Sequence, residues 1–228
     1  MMDDKISLII PAKNEMESLE AVLSEINNNQ FVGEKIVVVD SEKDNSIDVA
    51  RKFNCRIIIQ KDSGYGSAII EGFKEAKFKF GCIFNADYSF NPVYFEEMIK
   101  FSKNYNFIFG TRYSQNSGSD DDDIITYIGN KIFSFICKFF LRINLTDILY
   151  TFVLCNVESF NKLSLEKKDF RLCIELPSKV RFKNFSYCEV PMYERKRFAG
   201  KKNVNVIKDG FLILIEIIAS FKYFFNKN

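Results

Sequence analysis

No histidine occurs among the 228 residues. Ser-His-Asp and Cys-His catalysis, His-ligated zinc, haem held by His and histidine general bases are therefore excluded. Any chemistry must run on carboxylates, lysine, arginine, tyrosine, hydroxyls, backbone amides or a hard metal ion. Tryptophan is absent as well. No two of the six cysteines (Cys55, Cys82, Cys137, Cys155, Cys173, Cys188) stand at CxxC spacing, which removes a zinc knuckle and a thioredoxin-like motif. Most sit in apolar runs such as Gly81-Cys82-Ile83-Phe84, and they read as small buried hydrophobes in a reducing compartment. The chain opens Met-Met-Asp-Asp, acidic where a secretory leader would be basic. An uninterrupted run of about 18 apolar residues, enough to span a bilayer, is also missing. Even the Ile/Leu/Phe-rich stretch 204–225 is broken by Lys208, Asp209, Glu216 and Lys222.

What is present is a 47% hydrophobic fraction, ample for a core. The length suits one large domain, here 1–203, with a C-terminal apolar or amphipathic helix over 204–228. The net charge of +2 hides an asymmetry. Residues 1–50 hold eleven acidic and four basic side chains, whereas 171–203 hold nine basic and three acidic. A basic segment late in the chain suits an anionic ligand or an anionic membrane surface, and equally an ordinary solvated face.

Residues 6–10 (Ile-Ser-Leu-Ile-Ile) predict a buried strand stopped by Pro11. Leu19, Val22, Leu23 and Ile26 carry helical spacing over 16–28. Lys35 to Val39 is a second strand ending at Asp40, followed by a short helix near 45–53 and a strand from Arg56 to Ile59. Gly64-Tyr65-Gly66 opens a helix to about Lys77, and 81–85 is a strand running into Asn85-Ala86-Asp87. A helix after Pro92 leads to the strand Phe107-Ile108-Phe109. This alternation, with several strands continuously apolar, predicts an α/β fold whose mostly parallel sheet is covered on both faces. Ligands bind such sheets at the carboxyl ends of the strands, which directs attention to Asn14, Glu15, Asp40 and 85–87. Residues 114–123, ending in four aspartates, predict a mobile acidic loop that buries nothing. Over 124–143, Ile132, Phe133, Ile136, Phe139, Phe140 and Ile143 share one helical face, with Lys131, Lys138 and Arg142 on the other.

Asp87 follows a hydrophobic strand, so its carboxylate emerges at the sheet edge, where it could hold Mg²⁺ or Mn²⁺. Spacing of two places the Asn85 and Asp87 side chains on one side of an extended segment. Taken alone, such a pair more often forms a turn. Asp40 suits a helix cap or an acceptor for a base or ribose. Lys61 to Gly66 is a strand-to-helix turn, a candidate diphosphate neighbour, but it has neither a Walker Lys-Ser/Thr ending nor GxGxxG. From Arg195 to Lys202, five cations and a glycine in eight residues suggest a strap that closes over phosphates.

The order of these pieces carries a resemblance. Pro11-Ala-Lys-Asn14-Glu15, the strand-end Asp40 with the acidic turn to Asp44, Gly64-Tyr-Gly66-Ser-Ala68 with Gly72, and Asn85-Ala-Asp87 with Pro92 stand in sequence. Gly110-Thr-Arg112-Tyr113, Leu145-Thr-Asp147, and Glu189-Val-Pro191 followed by arginines and Gly200-Lys201 complete the series. Together they resemble family 2 glycosyltransferases over about 6–210, in particular dolichol-phosphate mannose synthases and bacterial polyprenyl-phosphate relatives.

The resemblance implies a GT-A fold, a nucleotide-sugar donor and a divalent cation, Mg²⁺ or Mn²⁺. By position it implies that Pro11, Asn14, Glu15 and Asp40 line the nucleoside pocket, that Lys61, Gly66, Asn85 and Ala86 lie near the nucleotide, and that Asp87, with Asn85, holds the metal. It places Arg112 toward an acceptor phosphate and Asp147 in the active-site floor, and puts Arg195, Arg197 and Lys202 on phosphates. Two departures stand out: Asn85 replaces the first Asp of Asp-x-Asp, and Thr151-Phe152-Val153 replaces Gly-Tyr/Phe-Arg. The expected function is an inverting transfer of a hexose from a GDP-mannose or UDP-glucose type donor to a polyprenyl phosphate, in cell-envelope glycan synthesis. The alternatives are attack by a hydroxyl of a glycan or glycolipid, with Asp147 as a weak candidate base, and a catalytically impaired nucleotide-sugar-binding partner subunit. The expected location is cytoplasmic, peripheral on the inner face of the cytoplasmic membrane, with no nucleic-acid partner; a homo-oligomer is compatible with it.

Overall fold

The computed structural model describes residues 5–198 and 206–225. Strands β1 (Ile6–Ala12), β2 (Val32–Val39), β3 (Arg56–Ile59) and β4 (Phe80–Ile83) alternate with helices α1 (Met16–Ile26), α2 (Ser46–Lys52) and α3 (Tyr65–Lys74). Then follow α4 (Phe95–Phe101), β5 (Phe107–Thr111), β6 (Gly118–Ser119), α5 (Ile124–Phe140) and β7 (Val153–Asn156). The chain continues with α6 (Val157–Lys162), α7 (Leu172–Phe182), β8 (Tyr187–Pro191), β9 (Tyr193–Glu194), α8 (Val206–Ser220) and α9 (Lys222–Phe225). The main sheet has the order β3-β2-β1-β4-β7-β5-β8, parallel except for β7, which runs antiparallel to both neighbours.

Both sheet faces are covered, as the apolar runs require. Leu8, Ile10, Val37 and Val39 enter one apolar cluster with α1 and α4 residues; Ile9, Ile36 and Val38 enter the other with residues of α3, α5 and α7. Period-2 alternation therefore sends every second side chain of the same strand to a different layer. Strand β1 runs through Pro11 to Ala12 rather than stopping before it. The Ile9 carbonyl accepts from Phe84 N–H, so Ile9 and, two residues on, Pro11 turn their backbone groups toward β4. The β1–β4 ladder ends at Ile9, so the missing proline N–H breaks no ladder bond.

All six cysteines are free. Burial pushes the Cys55 thiol up to about 11 and those of Cys137, Cys173 and Cys188 up to about 12, so they remain protonated packing groups.

Two segments depart from expectation. Residues 114–123 do not simply trail through solvent. They form β6, paired parallel with β9, and leave the Asp122 side chain only 8% exposed. Helix α5 divides the apolar face read from sequence: Phe133, Ile136 and, past its end, Ile143 pack on the core, whereas Ile132, Phe139 and Phe140 are exposed. Its inner face carries Asn130, Ser134 and Cys137, where Asn130 donates to the Tyr113 hydroxyl and Ser134 Oγ accepts from Ile148 N–H. Its outer face carries Ile124, Ile125, Ile128, Ile132, Phe135 and Phe139, up to 78% exposed. Helix α8, which buries Ile213 and Ile217, likewise exposes Phe211, Leu214, Ile215 and Ile218. Among the described residues no helix is long and apolar enough to cross a membrane.

The backbone of 167–169 lies directly on the start of α3. A Cβ on Gly66 would sit 2.2 Å from the Lys167 carbonyl oxygen, whereas one on Gly129 would meet nothing within 4 Å. Gly66→Ala is therefore expected to destabilise the fold by about 1–3 kcal/mol, and Gly129→Ala to leave it unchanged or raise it by about 0.5–1 kcal/mol. Paired thermal or denaturant melts check both.

Candidate active site

Chain order reverses between β1, whose neighbours are β2 and β4, and ligand clefts in open α/β sheets form at such a point. A cleft of about 460 Å³ lies there. It is lined by Pro11, Glu15 and Asp40 from the ends of β1 and β2, by Asn85, Ala86 and Asp87 after β4, and by Arg112 and Arg197.

The turn after β1 is held by the acidic turn after β2. Asn14 has φ 55°, a left-handed conformation that asparagine tolerates. Its N–H donates to the buried Asp44 carboxylate at 3.0 Å and the Glu15 N–H donates to Ser46 Oγ at 3.0 Å. Asn14 thus shapes the turn while its own side chain is exposed. Asp40 faces Lys13 at 2.7 Å. Lys61 has an exposed side chain outside the cleft lining, and its N–H is taken by Glu71. Gly66 is buried beneath the 167–169 backbone rather than open to a ligand. The Ser67 N–H, one of the unpaired donors at a helix start, is taken by the Lys168 carbonyl. The helix-start amides are therefore partly used before any diphosphate arrives.

Asp87 is the best-placed carboxylate. One oxygen accepts from the Ser89 N–H at 3.0 Å and hydroxyl at 2.7 Å; the other lies 3.2 Å from the Arg197 guanidinium. Mg²⁺ typically takes one or two carboxylates, keeps water and shares substrate phosphates, so a single carboxylate in this cleft suits such an ion once a diphosphate is bound. Among the described residues no group of three or more Cys, Asp or Glu side chains is arranged to hold a metal without such help.

Arg112 lies where acceptor-side charge was expected, but it is already spent. Its guanidinium donates to both Asp147 oxygens at 2.7 and 3.1 Å and to Glu194 at 3.0 Å, and reaches Asp122 at 3.3 Å. It also stacks over Tyr150 at 4.6 Å. Burial alone would pull its pKa down; Asp147 and Glu194 more than reverse that. Asp147 is fully buried beneath it and lines no part of the cleft, so it is not placed to accept a substrate proton. Arg195 points away from the cleft, making a bidentate pair with Glu25 at 2.8 and 2.9 Å and lying over Tyr88 at 4.0 Å. It anchors the strap to α1. Lys202 lies outside the described residues.

The aspartate run, taken as a solvated loop, serves as a rail for the strap. Asp120 accepts from the Tyr193 hydroxyl at 2.6 Å, Asp121 lies 3.8 Å from Arg197, and Asp122 meets Arg112. Tyr65, Phe170 and Glu194 also line the cleft and were not singled out from sequence, and Thr151, noted there only as a departure from the family pattern, lines it too. Their signals were the tyrosine between two glycines and the glutamate beside the strap arginines.

Burial holds the Glu194 carboxyl above its ordinary value even beside Arg112. A carboxyl raised on folding contributes stability below its unfolded value, and that stability is lost as pH rises through the folded value. Arg112→Met would leave three carboxylates without their cation. We expect it to cost about 3–5 kcal/mol at neutral pH, with part of the loss recovered as pH falls through the glutamate range. Melts across that range check the sign.

A family model described as glycosyl transferase family 2 matches residues 7–164. A dolichol-phosphate mannosyltransferase of Pyrococcus furiosus is 35% identical over 117 residues, which is 48% of this chain and 33% of that protein. The match thus spans a third of the relative's length. The Haloferax volcanii glycosyltransferase AglJ is 21% identical over 94% of this chain and 71% of its own. Among solved structures, glucosyl-3-phosphoglycerate synthase of Mycobacterium tuberculosis, in complex with Mn²⁺, UDP and glucosyl-3-phosphoglycerate, superposes with a TM-score of 0.74 at 12% identity, covering 95% of this chain and 80% of that one. The fold is accordingly of GT-A type, and the chain belongs to glycosyl transferase family 2.

Proposed function

We propose that this chain transfers a hexose, with inversion, from a nucleoside-diphosphate sugar to a polyprenyl phosphate presented at a membrane face. The observation that carries the reading is the meeting, in one cleft, of Asp40, Asp87 and Arg197 with the inner faces of α5 and α8, whose outer faces are apolar and exposed. A lipid surface against those two helices would bring an acceptor head group near the part of the cleft that Thr126 and Asn130 of α5 and Asp209 and Ile213 of α8 line. Lys138 and Arg142, exposed near the end of α5, suit an anionic bilayer. The Pyrococcus relative's name supports the acceptor class.

In this reading Pro11, Glu15 and Asp40 receive the nucleoside, with Asp40 accepting from base or ribose. Mg²⁺ or Mn²⁺ would be held by Asp87 and would offset charge on the departing diphosphate. Arg197 leaves Asp87 for the diphosphate and stabilises the same developing charge. A phosphate acceptor arrives already ionised and needs no base, which agrees with a site lacking histidine. The second reading, attack by a glycan or glycolipid hydroxyl, is favoured by Arg112 being matched by three carboxylates, which leaves it little positive charge to offer an acceptor phosphate.

Radiolabelled GDP-mannose and UDP-glucose, each with Mn²⁺ and polyprenyl phosphate in vesicles, test both. Label extracted as lipid-linked sugar is expected. Label found only in water-soluble or hydroxyl-linked glycan would refute the polyprenyl-phosphate acceptor, and no turnover with any donor would favour a binding subunit. Asp87→Ala should lower transfer by about 100-fold or more, the scale for losing one electrostatic contact to the developing charge.

A further inference from the structure

The two departures from the family pattern meet at one phenol. Tyr65 leaves the first turn of α3 and lies flat on Phe170, with ring centroids 5.0 Å apart and planes 14° apart. Its hydroxyl stands 3.0 Å from Asn85 Oδ1 and 2.7 Å from Thr151 Oγ1. All four side chains line the cleft. A phenol has one proton. The Asn85 oxygen can only accept, so the Tyr65 proton goes to it, and the Thr151 hydroxyl in turn donates to the Tyr65 oxygen. With Oδ1 taken, the amide has one orientation. Its amino group has no protein acceptor among the described residues, and it is not sealed from the cleft.

We propose that Asn85 is a hydrogen-bond donor to a diphosphate oxygen of the sugar nucleotide, not a ligand to the cation, and that Tyr65 and Thr151 are positioning residues that turn it that way. A carboxylate at position 85 would offer lone pairs to a metal ion and repel the diphosphate. The amide presents N–H groups to that diphosphate instead, and leaves Asp87 alone to face a cation. Donor binding is then less dependent on metal than two carboxylates would make it. The inference rests on the reading of this cleft as the donor site.

The test measures the affinity of UDP and GDP by calorimetry, once in EDTA and once with Mn²⁺. Wild type should bind one of them measurably in EDTA. Asn85→Ala should weaken that metal-free binding roughly tenfold or more, the scale of a lost hydrogen bond to a charged group. Asn85→Asp should weaken metal-free binding further while raising the ratio of affinity with Mn²⁺ to affinity without it. Tyr65→Phe keeps the ring on Phe170 but frees the amide to rotate; a loss of about threefold to tenfold in EDTA is expected, with KM for donor moving more than kcat. Thr151→Val should act in the same direction, and Thr151→Ser should restore wild-type affinity. A purely structural role would lower the melting temperature without moving the Mn²⁺-to-EDTA ratio. Should Tyr65→Phe fail to fold, the Asn85 and Thr151 variants decide. If Asn85→Ala loses affinity only in Mn²⁺ and keeps it in EDTA, Asn85 is a metal ligand and the proposal is wrong. If wild type binds neither nucleotide under either condition, the donor-site reading falls and takes this inference with it.

Discussion

Arg112 is one guanidinium among three carboxylates, and each of those carboxylates belongs to a different stretch of chain. Asp122 comes from the acidic segment after β6, Asp147 from the loop before β7, and Glu194 from β9. Arg112 itself follows β5, the strand next to the β8 edge of the sheet. Three separate stretches of chain on this side of the cleft meet at this group. The acidic segment can approach the strap because Arg112 offsets part of the repulsion between Asp122 and Glu194. Pairing of β6 with β9 then supplies backbone hydrogen bonds across the same junction. An arginine suits this position because its planar fork serves two carboxylates at once and stays charged when buried.

The same logic governs the rest of the cleft. Lys13 faces Asp40, Arg197 faces Asp87 and Asp121, and Arg195 faces Glu25. The cleft cations Lys13 and Arg197 are thus matched to carboxylates of the protein itself, as is Arg195 outside the cleft lining. A diphosphate must displace some of these partners, so its binding is an exchange of ion pairs rather than the filling of a bare positive cleft. Such an exchange keeps the arginines ordered, at some expense in affinity. Against this, the apolar outer faces of α5 and α8 are unmatched by anything in the described chain, which sets them apart from the cleft they border.

Much of the fold was legible in the residues. The apolar runs of β1, β2 and β4 are buried on both faces, and such runs in alternation with helical spacing leave few arrangements other than a covered parallel sheet. The strand-end positions Glu15, Asp40 and Asp87 reach the cleft for the same reason: the carboxyl ends of parallel strands share one edge. What was not legible is which side chains the fold had already spent. Asp147 and Arg112 read as separate functional residues and are a buried pair. Arg195 and Arg197 read as one strap and point to different partners, Glu25 for the first and Asp87 with Asp121 for the second. Gly66 read as a neighbour of the nucleotide, and the close approach of the 167–169 backbone, a hundred residues away in sequence, was not legible. The α5 pattern named an amphipathic helix correctly, but helical spacing does not say which face is turned inward.

The sequence by itself determined the element order, the two-sided burial of the sheet, the family signature and the absence of any histidine-based chemistry. These follow from local periodicity and from residue type, which need no long-range contact to be read. The tertiary structure alone decided that Arg112 is neutralised from three directions, that α5 and α8 turn their apolar sides out, and that Asn85, Tyr65 and Thr151 form one hydrogen-bonded unit. Each of those depends on pairing between residues from 10 to more than 80 positions apart, as Arg112 with Asp122 and Tyr65 with Thr151 illustrate. Hydrogen-bond orientation and charge compensation are properties of neighbours in space. The sequence lists the groups, and only the fold says which of them are left free to act.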